Sequence, residues 1–317
     1  MSPEYPALPS LPVISLADNP TALPAALADS FGRYGFAMVA DHGIDPALIA
    51  HGWDLTARLF AVPEAEKRRW HVPGGGGARG YTPFGTEIAK GADRPDLKEF
   101  WHVGRDLPPG HPLASTMPPN LWPDQVPGFA ATFGALYAAF DRVGAAVLAH
   151  LAVALDLPAD WFVPAIAEGN SVLRLLHYPP IPRAPDGAIR AGAHEDINLI
   201  TLLLGAEQAG LELLTRDGEW VAVTPPPGAL VINIGDMLQR LTNHVLPSTT
   251  HRVRNPAGAD ATRSRYSMPF FLHPCSDFVI RTLPGCISAD RPDRYPDPIT
   301  ADAYLRQRLV EIGLIDG

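Results

Sequence analysis

Two imidazoles and a carboxylate carry the chemistry of this chain. His194-Glu195-Asp196 supplies one imidazole and the carboxylate, and His251, well downstream, supplies the second imidazole. Such a set holds Fe(II) on one face and leaves the opposite positions open for substrate and oxygen. Arg265-Tyr266-Ser267 follows. A guanidinium grips a carboxylate through two parallel hydrogen bonds, and a hydroxyl can add a third. A buried guanidinium with no partner is strongly disfavoured, so an acid is expected beside Arg265. His-x-Asp alone is weak, because such tripeptides occur by chance. Two histidines and an aspartate also suit zinc with an open position, as in a hydrolase. Against that reading, the chain has no His-Glu-x-x-His motif, and the Arg-x-Ser would be left without a task. A metal-binding sensor or degenerate scaffold is the non-enzymatic alternative, disfavoured by the complete triad beside an anion grip.

The elements that must position these residues read as follows. Short strands are expected at 171–178, 191–196, 199–204, 211–215, 220–223, 229–234, 250–254, 266–272 and 278–281, separated by turn signals such as Asp217-Gly218 and Pro227-Gly228. Many short strands with regular turns argue a sandwich or barrel. On a strand, His194 and Asp196 share one face, which turns Glu195 away, and Arg252 likewise points outward beside His251. Upstream, 11–16 and 35–40 read as strands, and 21–34 and 46–60 as helices. The clearest helix is 129–157, where Phe129, Phe133, Leu136, Phe140, Val143, Val147 and Leu151 recur at steps of three and four. It reads as a brace under a sheet. A last helix is expected over 300–312. The run Gly74–Gly77 reads as a surface loop and not a phosphate loop, since no Gly-Lys-Ser/Thr follows it.

With 317 residues, 46% hydrophobic and 19% charged, the chain has the composition of an ordinary globular protein. A net charge of −9 argues against a nucleic-acid partner. The N-terminus lacks a basic region followed by an apolar stretch, and the apolar segment around 145–157 is broken by His150 and too short to cross a bilayer. Two cysteines, Cys275 and Cys286, fit reduced thiols. The expectation is a cytoplasmic protein, monomeric or weakly homo-oligomeric, with no membrane partner and a small molecule as substrate.

Several motifs in order resemble one family. His194-x-Asp196, Leu241-Thr242-Asn243, Pro247-Ser248-x-x-His251-Arg252-Val253 and Arg265-x-Ser267 resemble the isopenicillin N synthase-like branch of the Fe(II)/2-oxoglutarate-dependent dioxygenases. Arg174-Leu-Leu-His-Tyr178-Pro179 looks like that family's Asn-Tyr-Tyr-Pro segment, with Leu176 and His177 in place of its Asn and first Tyr. Asp41-His42-Gly43-Ile44 resembles its Asn-His-Gly-Ile element. The likeness spans roughly 10–285. It implies a mainly β fold with helices, a distorted double-stranded β-helix (jelly roll) core with an N-terminal mixed α/β extension and a long bracing helix. The regions expected are 1–120, mixed helix and strand; 121–168, bracing helices; 169–285, the jelly-roll core; and 286–317, a helical tail.

The resemblance further implies that His194, Asp196 and His251 bind Fe(II). It implies that Arg265 and Ser267 hold the distal carboxylate of 2-oxoglutarate, with Tyr178 nearby. O2 would be the oxidant, with ascorbate as an auxiliary reductant. Succinate and CO2 would be released as a small organic metabolite is oxidised, by hydroxylation, with desaturation or ring closure as alternatives. Isopenicillin N synthase and aminocyclopropane-carboxylate oxidase share the triad and the Arg-x-Ser without using 2-oxoglutarate, and stand as the rival within the fold. No catalytic residue beyond the metal site is expected. Candidates for the substrate wall are Tyr81, Phe84, Trp101, His177 and Phe271, each of them also suited to a core. His42, His71, His102, His111, His150 and His273 have no partner spacing and receive no metal role. His244 reads as solvated.

Overall fold

The computed structural model describes residues 11–75, 77–88, 94–181, 188–205, 210–256 and 258–311. Gly76 of the glycine run and the end of the expected last helix lie outside them. In chain order the described elements begin with β1 (Val13–Ser15), α1 (Leu23–Tyr34), β2 (Phe36–Ala40), α2 (Pro46–Ala61), α3 (Glu64–Lys67), β3 (Gly80–Thr82) and β4 (Glu99–Gly104). α4 (Phe129–Ala154) and α5 (Val163–Ile166) follow. Then come β5 (Val172–Tyr178), β6 (Ala191–His194), β7 (Ile200–Leu204), β8 (Leu211–Leu214), β9 (Trp220–Ala222), β10 (Leu230–Ile234) and α6 (Asp236–Leu241). β11 (His251–Val253), β12 (Arg265–Leu272), β13 (Val279–Ile280), β14 (Ile299–Thr300) and α7 (Ala301–Glu311) are the last of the described elements.

Two sheets make the core. The larger has eight strands in the order β1-β2-β10-β7-β12-β5-β4-β3, and the smaller has four in the order β6-β11-β8-β9. Apart from the parallel β1–β2 pair, neighbours in both sheets are antiparallel. Facing antiparallel sheets with crossovers between them form the jelly-roll core. Strands from the N-terminal part are continuous with it: β1 and β2 extend one edge of the large sheet, and β3 and β4 extend the other. The strands β3 and β4 were not foreseen. β3 is only three residues long, and β4 is buried along its whole length, so neither shows alternation.

The outer face of the large sheet packs on helices. Phe129, Phe133, Leu136, Phe140, Val147 and Leu151 of α4 are all but fully buried in one cluster with Leu173, Leu175, Leu202, Met268 and Phe270. Phe140 stacks on Phe270, ring centres 5.6 Å apart. Burying such side chains stabilises by about 1.5–3 kcal/mol each. Gly144 lets the helix approach, since a Cβ there would sit 2.3 Å from Leu272 Cδ1. The apolar run is longer than 145–157, and α4 as a whole has the length and apolarity of a membrane span. Here its apolar stripe is taken up by the sheet.

α1 ends where Gly35, at φ +68°, donates its N–H to Phe31 O. A Cβ at Gly35 would lie 2.2 Å from Thr249 Oγ1, so the turn into β2 also braces the loop that leads to His251.

Candidate active site

Strand parity sorts the sequence candidates. Phe100 of β4, Leu176 of β5 and Ser267 of β12 are lateral neighbours facing the small sheet, and Leu176 and Tyr178 cluster with Ala191 and Val253 of that sheet. The intervening residues face the helices. Tyr81, Trp101 and Leu175 are lateral neighbours on that outer side. Trp101 is fully buried against Phe129, and Tyr81 is 1% exposed with its hydroxyl donated to Glu99 at 2.5 Å.

His177 pairs with Tyr266 and stacks between it and Phe60 of α2, with Nδ1 2.6 Å from Glu99. Lys67 reaches the same carboxylate at 2.7 Å. Tyr81, Trp101 and His177 therefore belong to the helix-side core rather than to a substrate wall, because alternation turns them away from the barrel interior. Phe84 is 43% exposed beyond the end of β3 and does not line the cavity. Of the five candidates, Phe271 alone lines it.

The triad converges, though by a different route from the one expected. β6 ends at His194, so Asp196 sits in the following turn and not on the strand. His194 and His251 are cross-strand neighbours of β6 and β11. Asp196 is aimed by hydrogen bonds instead. Its Oδ2 accepts from Thr201 Oγ1 at 2.6 Å and from Asn233 Nδ2 at 2.8 Å, and Asn198 donates to Thr201 at 2.8 Å. Its backbone carbonyl accepts from Asp236 N at 2.7 Å. Glu195, expected to face away, lies at the cavity rim and accepts from Thr250 Oγ1.

One ligand atom from each of His194, Asp196 and His251 lies within 4.8 Å of the other two. Both Nε2 atoms stand 3.8 Å from the Asp196 carboxylate. His194 Nδ1 meets Gly192 O at 2.7 Å and His251 Nδ1 meets Thr249 O at 3.1 Å. Each Nδ1 is thereby the protonated donor, and each Nε2 presents a lone pair to the centre, the tautomer a metal ligand needs. Burial alone would push Asp196 up, but His251 and His194, then the bonds from Thr201 and Asn233, hold it below the usual carboxylate range. Desolvation, then His251, pulls His194 down to about 4, although 37% of its side chain still meets the cavity. Two imidazoles turned inward by their Nε2 atoms and a carboxylate with one oxygen unclaimed fit a divalent metal.

His251 depends on the segment before it. Asn243, at φ 49°, donates to the carbonyls of Cys286 and Pro292 and accepts from Arg294 N. Gln239 of α6 accepts from Ser248 N at 2.8 Å. The Leu241-Thr242-Asn243 motif is thus a clamp on the approach to His251. His244 is not simply solvated: its Nε2 lies 2.6 Å from the Tyr295 hydroxyl, and its ring stacks on Tyr295.

Deeper between the sheets, Arg265 pairs with Tyr178 across β12 and β5, and Ser267 pairs with Leu176. Arg265 is 3% exposed, with Nε and Nη1 buried and without a hydrogen-bond partner. Burial lowers its pKa, opposed by its hydrogen bond to Tyr178. Orphaned guanidinium nitrogens of this kind fit an acid bound beside them.

A cavity of about 510 Å³ opens beside His194 and Asp196 of the triad. Val172, Arg174 and Phe271 of the large sheet, His102, and Glu87, Ile88, Asp96 and Lys98 form one wall; Leu305, Arg308 and Leu309 of α7 form another. Arg174 meets Glu87 in two hydrogen bonds of 3.0 and 3.1 Å, and Lys98 pairs with Glu87 at 2.9 Å and Asp96 at 2.7 Å. Arg174 Nε donates to His102 Nε2 at 2.5 Å, and Arg174 lies over the rings of Phe100 and Phe271. Sequence reading missed this network, because its members are scattered and together form no motif, although Arg174 heads the 174–179 segment. His273, also passed over, lines the cavity as well, with burial drawing it down to about 4.

Two family models match: residues 11–125 fit the N-terminal region of the non-haem dioxygenases of morphine synthesis, and 169–274 fit the 2OG-Fe(II) oxygenase superfamily. The chain belongs to the 2OG-Fe(II) oxygenases. Among its relatives, the 2-oxoglutarate-Fe(II) type oxidoreductase hxnY of Emericella nidulans is 35% identical, over 86% of this chain and 79% of its own. The fold matches a Caulobacter crescentus protein of the 2OG-Fe(II) oxygenase family at 53% identity and TM-score 0.89, covering 95% of this chain and 99% of that one. It also matches a Neurospora crassa protein in complex with alpha-KG and thymine at 29% identity and TM-score 0.83, covering 95% and 96%. The chain is an iron- and 2-oxoglutarate-dependent oxidoreductase.

Proposed function

We propose that this 2OG-Fe(II) oxygenase hydroxylates an uncharged, planar, hydrogen-bonding ring compound of nucleobase size. His194, Asp196 and His251 hold the iron, and Arg265, Ser267 and Tyr178 hold the co-substrate's distal carboxylate. The bound metal supplies oxygen activation coupled to decarboxylation of 2-oxoglutarate to succinate and CO2. The chain's own residues do the rest. The two Nδ1–H donors fix the imidazoles, Thr201 and Asn233 fix the carboxylate, and the apolar residues around Tyr178 exclude water from the acid pocket.

The observation that carries the substrate class is the charge balance of the cavity wall. Two cations, Arg174 and Lys98, are matched by two acids, Glu87 and Asp96, and Arg308 on the opposite wall is paired with Asp236 and Glu311. A carboxylate substrate would meet no free cation among these lining residues. A neutral ring can lie against Phe271 and exchange hydrogen bonds with the Glu87–Arg174 edge. The cavity volume suits such a molecule. The thymine in the Neurospora crassa complex is a ligand of this kind. Measuring succinate released from 2-oxoglutarate across matched neutral rings and ring carboxylates tests the reading. Stimulation by neutral lactams, imides or nucleobases is expected, and stimulation by the carboxylates alone overturns it.

A further inference from the structure

Arg190, the residue before β6, is 1% exposed, yet its guanidinium is mostly unused. Nη2 donates to Arg263 O at 3.3 Å, while Nε and Nη1 are buried with no hydrogen-bond partner. The guanidinium centre lies 5.8 Å from the Tyr178 ring, and that of Arg265 lies 5.0 Å from the same ring. Two buried cations thus lie over the same tyrosine ring. Burial, then repulsion from Arg265, pulls Arg190 down to about 10. Tyr178, then Asp260, an exposed residue, oppose that fall, and no ion pair holds Arg190 among the described residues.

Like charges buried side by side persist only when a counter-ion joins them. The unpaired donors are Nε and Nη1 of each arginine. An ionised carboxylate offers about four lone-pair sites, so one bond from each guanidinium leaves room for Ser267 and Tyr178. Strand geometry agrees with the placement. At about 3.3 Å per residue, the backbone of Arg190 lies roughly 13 Å from that of His194, a span filled by a chelating co-substrate and an extended arginine side chain.

We infer that Arg190 is a second carboxylate-binding residue. Together with Arg265 it clamps the distal carboxylate of 2-oxoglutarate, so that the pocket selects a 2-oxo dicarboxylate over a 2-oxo monocarboxylate. This rests on the assignment of Arg265 made above and extends it to a residue outside the Arg-x-Ser motif.

The test is an anaerobic titration of the Fe(II)-loaded full chain with 2-oxoglutarate and, separately, 2-oxobutyrate, followed by the visible band each chelate produces. Arg190→Met weakens 2-oxoglutarate binding about 10- to 100-fold, the loss of a charge-assisted pair, and leaves 2-oxobutyrate nearly unaffected. Arg190→Lys restores part of the loss. Without ligands, Arg190→Met raises the melting temperature by removing an unpaired buried charge, and it shrinks the rise that 2-oxoglutarate induces. Equal weakening of both acids, unchanged affinity for both, or a lower ligand-free melting temperature with the 2-oxoglutarate-induced rise intact would each overturn the inference. Arg265→Met tests the assignment beneath it: if that variant binds 2-oxoglutarate as the parent does, the Arg265 reading falls whatever Arg190 shows.

Discussion

Thr201 is the most informative residue to change, because it touches the metal centre only through Asp196. Its hydroxyl donates to Asp196 Oδ2 at 2.6 Å and accepts from Asn198 Nδ2 at 2.8 Å. Thr201→Val keeps the shape and removes both bonds. Asp196 then keeps Asn233 as its one side-chain donor and gains freedom to turn away from His194 and His251. A hydrogen bond to a charged group contributes about 1.5–3 kcal/mol, and loss of such outer partners lowers metal affinity about 10- to 100-fold. The two figures agree, since a factor of ten is about 1.4 kcal/mol. Anaerobic titration with Fe(II), or with Co(II) followed by its visible absorption, reads the affinity directly. Circular dichroism at the same temperature shows that the variant remains folded. A Thr201→Val protein that binds metal as tightly as the parent would show that Asp196 is aimed by something other than this relay.

Other perturbations address separate parts of the account. Arg265→Met should weaken 2-oxoglutarate binding by about 3 kcal/mol, the penalty for breaking a buried charge pair, in the same chelate titration with iron affinity unchanged. Glu99→Leu strands Lys67, Tyr81 and His177, all buried around that carboxylate. It should destabilise the fold by about 3–5 kcal/mol in urea unfolding, whereas a change within error would remove Glu99 as the hub of the helix-side core. His102 is held neutral, its pKa driven well below 6.5 by burial and then by Arg174. The unfolded chain therefore takes up a proton that the folded chain refuses. Stability is full above about 6.5 and falls as pH drops below it. His102→Gln should flatten that slope in metal-free protein, and an unaltered slope would assign it to other groups. Phe271→Ala should raise the substrate KM while leaving uncoupled 2-oxoglutarate turnover near the parental level, since Phe271 lies on the cavity wall and makes no bond to the triad.

How much of this was legible in the sequence follows from what kind of constraint each residue obeys. His194, Asp196 and His251, which the fold brings together, were readable because chemistry restricts their type, and the order of motifs restricts their place. The long α4 was readable because its apolar stripe repeats at helical spacing over many turns. The reason given for His194 and Asp196 was incomplete: a shared strand face was expected, while the structure ends β6 at His194 and steers Asp196 with Thr201 and Asn233. Those two polar residues look like ordinary strand residues until the sheet brings them under a carboxylate. Tyr81, Trp101 and His177 were drawn toward the cavity by their aromatic character. Only the register of β3, β4 and β5, set by long-range pairing, shows that they face the helices. Glu87, Lys98, Asp96 and Arg190 carried no local signal, and Arg174 only its place at the head of a motif; distant segments become neighbours only when the chain folds.

The central claim is that one metal, held by His194, Asp196 and His251, shares a chelating 2-oxo acid with the arginine pocket behind it. Anaerobic addition of Fe(II) and 2-oxoglutarate, followed by visible absorption in the parent, Asp196→Ala and Arg265→Met proteins, tests it directly. The account predicts a chelate band in the parent, none in Asp196→Ala at any iron concentration that the parent saturates, and a band of the same shape in Arg265→Met that needs far more 2-oxoglutarate. An undiminished band in Asp196→Ala would contradict it.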